Sequence, residues 1–315
     1  MFKRNISDET IKALIEHDLY RSCLKSDIFS LEKRRGVFPA IRNNRIDFYH
    51  RGGRLFSFSS KGIFETHIKY ASVINTEDQN QSVTEDIIKV SELVPSFVNG
   101  YSRIKENCWL YSGIESEGVS YMYSRYPFLN TDSEVVVLDV EIQFPRKNKH
   151  ENEDANAYKT DMKTEGDGKR DITESPRIDL LLYHKSSRKL RFVEAKHYSN
   201  TEVWSMAGKK PPVTRIQIPT YEKSIKENHG LIISEYGKYV GFMRQLFRLT
   251  SESLPDPTHL DPRVAFLLFG FDSKQKGKIT ELLKKDGSVK GTPYYFIGNI
   301  DKIEINTLWK KTSKV

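Results

Sequence analysis

Residues 177–198 read RIDLLLYHKSSRKLRFVEAKHY: two apolar runs, Arg177–His184 and Leu190–Tyr198, on either side of a polar Lys185-Ser186-Ser187-Arg188 turn. Runs of this length, rich in leucine, valine and aromatics and bounded by polar residues, predict two strands of a hairpin. With the turn centred between Ser186 and Ser187, Tyr183 faces Leu190, Leu181 faces Phe192 and Asp179 faces Glu194. Opposed residues point to the same side of a sheet, with Cβ atoms roughly 4.5–5.5 Å apart. Side chains alternate along a strand, so Lys196 joins Glu194 on that side. A slip of one residue would set Asp179 against Ala195 and disperse the group.

Two carboxylates held opposite one another among apolar neighbours repel. A hard divalent cation relieves that conflict, because Mg²⁺ takes carboxylate oxygens and keeps waters for a substrate. Such an ion lowers the pKa of a bound water and neutralises charge growing on a phosphate oxygen. Lys196 adds a cation whose charged form its acidic neighbours favour. Its expected task is to position water or phosphate, not to act as a general base. The alternative, a structural Asp–Lys–Glu salt-bridge cluster, stays open at this level.

Outward from the hairpin, Glu134–Phe144 (EVVVLDVEIQF) predicts a preceding strand. Asp139, Glu141 and Gln143 share one face of it, and Glu141 is either a third acid or part of a solvated polar face. Residues 146–175 are almost free of aliphatic side chains and read as a long mobile insertion. A helical segment is expected near Thr214–Asn228, a buried strand at Arg263–Asp272, a short helix at Lys276–Lys285 and a last strand at Tyr294–Ile300. Strands alternating with helices on a mixed sheet give an α/β fold.

Upstream, Ser7 predicts the cap of a helix over about Asp8–Leu24. Arg45–Tyr49, a Gly52-Gly53 turn, Leu55–Ser59 and Phe64–Tyr70 predict a small antiparallel sheet. A polar linker at Glu77–Glu85, a helical stretch from about Glu85 to Asn107 and an irregular Tyr/Ser-rich segment follow. The expected organisation is an N-terminal α+β accessory region, 1–82, and a second domain, 83–315.

The chain has 315 residues and a formal net charge of +8, which favours a polyanionic partner. Its two cysteines, Cys23 and Cys108, exclude a disulfide scaffold and any four-cysteine metal site within the chain. The charged N-terminus lacks a signal-type apolar core, and the longest apolar runs are strand-sized, so the expectation is a cytoplasmic protein with no membrane segment. Gly277-Lys278-Ile279-Thr280 lacks the first glycine of a phosphate loop, so no ATPase site is encoded.

Pro176-Arg177-Ile178-Asp179 followed by Glu194-Ala195-Lys196 resembles the signature of the PD-(D/E)XK nuclease superfamily. Gln217-Ile218-Pro219-Thr220-Tyr221 is similar to the Q-x-x-x-Y motif of its RecB-type branch. The resemblance covers about Glu134 to Tyr221; the literal PD pair is absent, as are the cysteines of the iron–sulfur members. It implies a restriction-endonuclease-like mixed sheet flanked by helices, and a Mg²⁺- or Mn²⁺-dependent nuclease acting on DNA ahead of RNA. It assigns metal binding to Asp179 and Glu194, with Glu141 or a helix acid (Glu92 or Glu106) upstream. Lys196 takes a catalytic role, and Gln217 and Tyr221 support site or substrate. A capping role for Gln217, reaching back to Thr214, is the alternative. A role in defence or repair, a second copy of the chain, and a partner such as a separate ATPase are in keeping with the resemblance. The competing function is a nucleic-acid-binding subunit inactive on its own.

Overall fold

The computed structural model describes residues 2–30, 36–74, 81–86, 92–144, 177–204, 213–281, 289 and 291–313. The insertion expected at 146–175 lies outside them.

The chain is a mixed α/β protein with two sheets. The first is an antiparallel meander in sequence order: β1 (Phe38–Arg42), β2 (Arg45–His50), β3 (Gly53–Ser59), β4 (Phe64–His67) and β5 (Ser82–Thr84). Its β2–β3 turn is Arg51-Gly52, one residue earlier than the Gly-Gly reading, and both residues have positive φ. Ser7 caps helix α1 (Asp8–Glu16), its hydroxyl accepting the Thr10 N–H at 3.2 Å. This helix stops well short of Leu24. His17 turns extended, its ring packing edge-on to Phe64 at 4.8 Å, and a separate π-helical turn spans Tyr20–Leu24. Of the helix expected over 85–107, residues 101–107 are helical, within α2 (Tyr101–Leu110), and residues 87–91 are outside the described set.

The second sheet runs β11-β10-β8-β7-β6, with β9 also on β8. Its strands are β6 (Val135–Gln143), β7 (Arg177–His184), β8 (Lys189–His197), β9 (His259–Leu260), β10 (Ala265–Phe269) and β11 (Tyr294–Ile297). β6, β7 and β8 are antiparallel neighbours, while β10 lies parallel to both β8 and β11. β7 pairs with β8 in the expected register: Leu180 with Val193, Leu181 with Phe192, Tyr183 with Leu190. The segment read as irregular is instead helix α3 (Ile114–Arg125), which packs on β6 and β8. Further helices are α4 (Ile218–Glu227), α5 (His229–Phe247), α6 (Ser273–Thr280) and α7 (Ile305–Thr312).

One continuous hydrophobic cluster includes residues of both sheets. A buried ionic cluster links them as well. Asp139, fully buried on β6, pairs with Arg42 of β1 at 2.7 Å and Arg4 at 3.1 Å, and accepts the Tyr236 hydroxyl at 2.8 Å. The polar face expected along β6 is therefore not solvated at Asp139. Arg42 also reaches Asp47 on β2 at 3.6 Å. The β2–β3 turn docks on α3: Arg51 pairs with Glu117 at 2.8 Å, and the Tyr123 hydroxyl accepts the Gly52 N–H at 2.9 Å. A Cβ on Gly52 would lie 2.5 Å from the Ser116 carbonyl carbon, so only glycine allows this approach. No described helix is long and apolar enough to cross a membrane.

Candidate active site

The end of the β7–β8 hairpin gathers the charged side chains. Beyond the Leu180–Val193 pair, the Asp179 carboxylate itself accepts the Ala195 N–H at 2.7 Å, bridging the two strands. Glu194 and Lys196 follow on β8; they are 1% and 6% exposed, and their head groups pair at 2.8 Å. Each is locked by parallel pairing with β10, Glu194 opposite Phe266 and Lys196 opposite Leu268.

Two further acids close on Lys196. Glu115, in the first turn of α3, places Oε1 at 3.3 Å from Nζ, and its Oε2 accepts the His197 N–H at 3.0 Å and the Asn200 amide at 2.8 Å. Glu202 stands in the 3₁₀ turn Thr201–Val203, which Asn200 caps, and lies 3.4 Å from Nζ. Sequence reading found neither. The signal for Glu115 was present in Gly113-Ile114-Glu115-Ser116-Glu117, since acids in a first turn mark a helix start. The alternative upstream acids are not at the site: Glu92 and Glu106 are exposed and outside the group that pairs with Lys196.

Glu141 lies on β6 between Val140 and Ile142, whose partners Leu180 and Ile178 flank Asp179. Its φ of +49° places a non-glycine residue in the left-handed region in mid-strand. Such a conformation costs about 1–3 kcal/mol and persists only where neighbours impose it. Here Arg42 donates to the adjacent Val140 carbonyl at 2.6 Å, and Arg177 lies 3.9 Å from the Glu141 carboxylate.

The electrostatics follow from five carboxylates around one lysine. Burial, reinforced by Glu194, pushes the Asp179 carboxyl well above its usual range. Burial likewise pushes Glu194 up to about 7, with Lys196 opposing. Burial raises Glu141, with Arg177 opposing. Burial works against the charge of Lys196, yet Glu194, Glu115, Asp179 and Glu202 hold its ammonium form well above the ordinary lysine range. A purely structural ion cluster would balance its charges; this one keeps an excess of acid in a buried place. Moreover, Oε2 of Glu194 is buried and meets no hydrogen-bond donor among the described residues.

Among the described residues no three His, Cys, Asp or Glu side chains already form an ion-holding group. One or two carboxylates, with waters and substrate phosphates completing the shell, are the usual protein ligands of Mg²⁺. The orphaned oxygen of Glu194 and the opposed carboxylate of Asp179 fit that requirement.

Gln217 and Tyr221 belong to the base of α4. Gln217 is buried at the end of a π-helical turn, Val213–Gln217, and makes no side-chain cap of α4. Pro219 falls within the first two positions of α4, directly after that turn. Tyr221 is buried, and its hydroxyl donates at 2.8 Å to the carbonyl of Arg177, two residues before Asp179. It therefore steadies the start of β7. Comparison with protein-family models, curated proteins and solved structures gave no match to this chain.

Proposed function

We propose that this chain is a divalent-metal-dependent nuclease with a restriction-endonuclease-like core, hydrolysing phosphodiester bonds in DNA ahead of RNA. One observation carries the reading: Asp179 and Glu194 are held together at the end of a buried hairpin, in excess of the nearby positive charge, with Lys196 beside them and an unsatisfied oxygen on Glu194. Asp179 and Glu194 would hold Mg²⁺ or Mn²⁺, with Glu141 the neighbouring acid. Such an ion supplies an acidified water and charge neutralisation on the phosphate.

The chain's own residues do the rest. Lys196 remains an ammonium and so serves as a donor to a phosphate oxygen or the attacking water; it cannot take a proton. Glu115 and Glu202 fix its head group from two other directions. Tyr221 holds the β7 backbone that sets Asp179. Water adds to phosphorus, one P–O ester bond breaks, and the departing oxygen takes up a proton.

The test is incubation of the pure chain with plasmid, single-stranded DNA and RNA, with and without Mg²⁺ or Mn²⁺. Cleavage is expected with metal and is lost in EDTA. Asp179→Ala and Lys196→Ala are each expected to lower it by about 10²–10³-fold, the scale of losing one stabilising group at a reacting centre, while remaining folded. Gln217→Ala and Tyr221→Phe are expected to reduce it less. Undiminished cleavage by Asp179→Ala would sink the assignment.

A further inference from the structure

Between the two sheets lies a cavity of about 600 Å³. Lys3, Arg4, Arg42, Arg45, Arg54 and Arg177 line it, against three carboxylates, Asp47, Glu65 and Glu141. An excess of cations in a concave, low-dielectric wall concentrates anions.

Several of these cations are already engaged. Arg42 pairs with Asp139 and Asp47, Arg45 with Asp47 at 3.1 Å, and Arg177 lies near Glu141. Arg4 is only partly satisfied. It is 4% exposed; its Nε donates to Asp139 and its Nη1 to the Lys3 carbonyl, but its Nη2 is buried and meets no acceptor. A buried guanidinium N–H without an acceptor is costly, and an oxygen of an anion in the cavity would satisfy it once the Arg4 head group, stacked on the Phe2 ring at 4.4 Å, turns toward the cavity. Arg54, by contrast, is exposed at the edge of the lining.

The cavity is much larger than one anion, and Tyr49 and Tyr70 also line it. There is room beyond the phosphate for a sugar and base, with aromatic rings beside them. Glu141 lines the cavity and is also the neighbour of Asp179 across β6 and β7. A strand held here by its end would lead toward the hairpin.

We propose that this cavity binds a phosphate monoester carried on a nucleotide, seated on Arg4 with Arg45, Arg54 and Arg177 around it. That the carrier is a nucleotide rests on the nuclease reading; that the site takes an anion does not. The phosphate belongs to the end of a substrate strand or to a free mononucleotide, and the arms of the experiment separate these sources.

Binding of labelled oligonucleotides of one sequence, bearing a 5′-phosphate, a 3′-phosphate or neither, is measured by anisotropy in EDTA. One terminal phosphate is expected to tighten binding by about tenfold, the effect of one or two charge-assisted hydrogen bonds. Arg54→Ala, a change at an exposed position, is expected to remove part of that preference, the share that the Arg4 seat does not supply. Competition by adenosine monophosphate, but not by adenosine, together with equal binding of all three oligonucleotides, would assign the site to a free mononucleotide. No preference among the oligonucleotides and no competition would overturn the proposal, as would a full preference retained by Arg54→Ala. Because no metal is present, phosphate binding by a chain that never cleaves would leave this site standing and remove only the nuclease. Cleavage without phosphate preference or competition would do the reverse.

Discussion

Glu194 feels two opposed influences, burial that disfavours its charge and an ammonium 2.8 Å away that favours it. Burial prevails, and its carboxyl rises from 4.5 to about 7. The native chain without metal therefore keeps a proton that the unfolded chain releases near 4.5. Its contribution to stability is full below that value and is lost as pH rises through about 7. Buried His50, lowered to about 4 by desolvation, acts in the other direction, losing stability as pH falls below 6.5. The useful measurement is thus a difference: the melting temperature of the native chain should fall relative to Glu194→Gln between pH 5 and 8. Saturating Mg²⁺ should reverse that fall, since the ion takes the proton's place. A gap that is constant with pH would show that Glu194 titrates normally. Asp179, Glu194 and Lys196 could be placed from sequence because a short polar turn fixes a hairpin register, and register fixes faces. Glu115 and Glu202 could not, because their approach to Lys196 depends on a helix and a turn packed from elsewhere in the chain.

Helix α3 shows why. Ile114–Arg125 reads IESEGVSYMYSR, and its buried positions include Gly118, Ser120 and Ser124 beside Val119, Met122 and Tyr123. A helix that packs through small and hydroxylated residues has no apolar stripe, so periodicity does not reveal it. Gly118 is the closest point: a Cβ there would lie 2.3 Å from the ring of Phe269, itself buried on β10. Gly118→Ala gains helix propensity of about 1 kcal/mol but overpacks by roughly 1–3 kcal/mol. The expected result is a lower denaturation midpoint, accompanied by weaker cleavage as Glu115 is pushed off Lys196. Increased stability would mean that the ring swings aside at little cost. The strands were more legible. Each of the eight strand segments expected from apolar runs between polar breaks contains a strand; Arg263–Asp272 is one only over Ala265–Phe269, and Phe64–Tyr70 only to His67 before a one-turn helix. Strand β1, Phe38–Arg42, is hidden from pattern by Pro39, a residue that argues against a strand. The helix at His229–Phe247 was missed although it is the longest described.

Across the whole molecule, the N-terminal sheet shares its hydrophobic cluster with the second sheet. Its β5 extends to Thr84, and its rings pack beyond it, Phe38 against Tyr123 and Phe128. Arg42, Arg4 and Tyr236 converge on Asp139 from positions 97, 135 and 97 residues away. Sequence pattern assigns a residue to a face but not to a partner at that separation, which is why this link was not foreseen. Asp139→Asn takes the counter-charge from buried Arg4 and the nearer of two from buried Arg42, which keeps Asp47 at 3.6 Å. The expected loss is about 3–5 kcal/mol, the usual result of removing one member of a buried pair. Unfolding followed by tryptophan fluorescence and by circular dichroism should still give coincident transitions, because the two sheets share one core. Separate transitions would mean that the sheets are independently stable.

Strand β10 inserts parallel between β8 and β11, yet it follows β8 in the chain by about seventy residues. A ribosome adding about 5–20 residues per second needs roughly 4–14 s to cover that distance. Throughout that interval the hairpin carrying Glu194 and Lys196 has emerged with one long edge unpaired, a template on which neighbouring nascent chains can add strands. Lys196 gains its neighbour Leu268 only when that wait is over. Each newly made copy therefore passes through a period in which crowding on a polysome exposes it to strand addition by its neighbours.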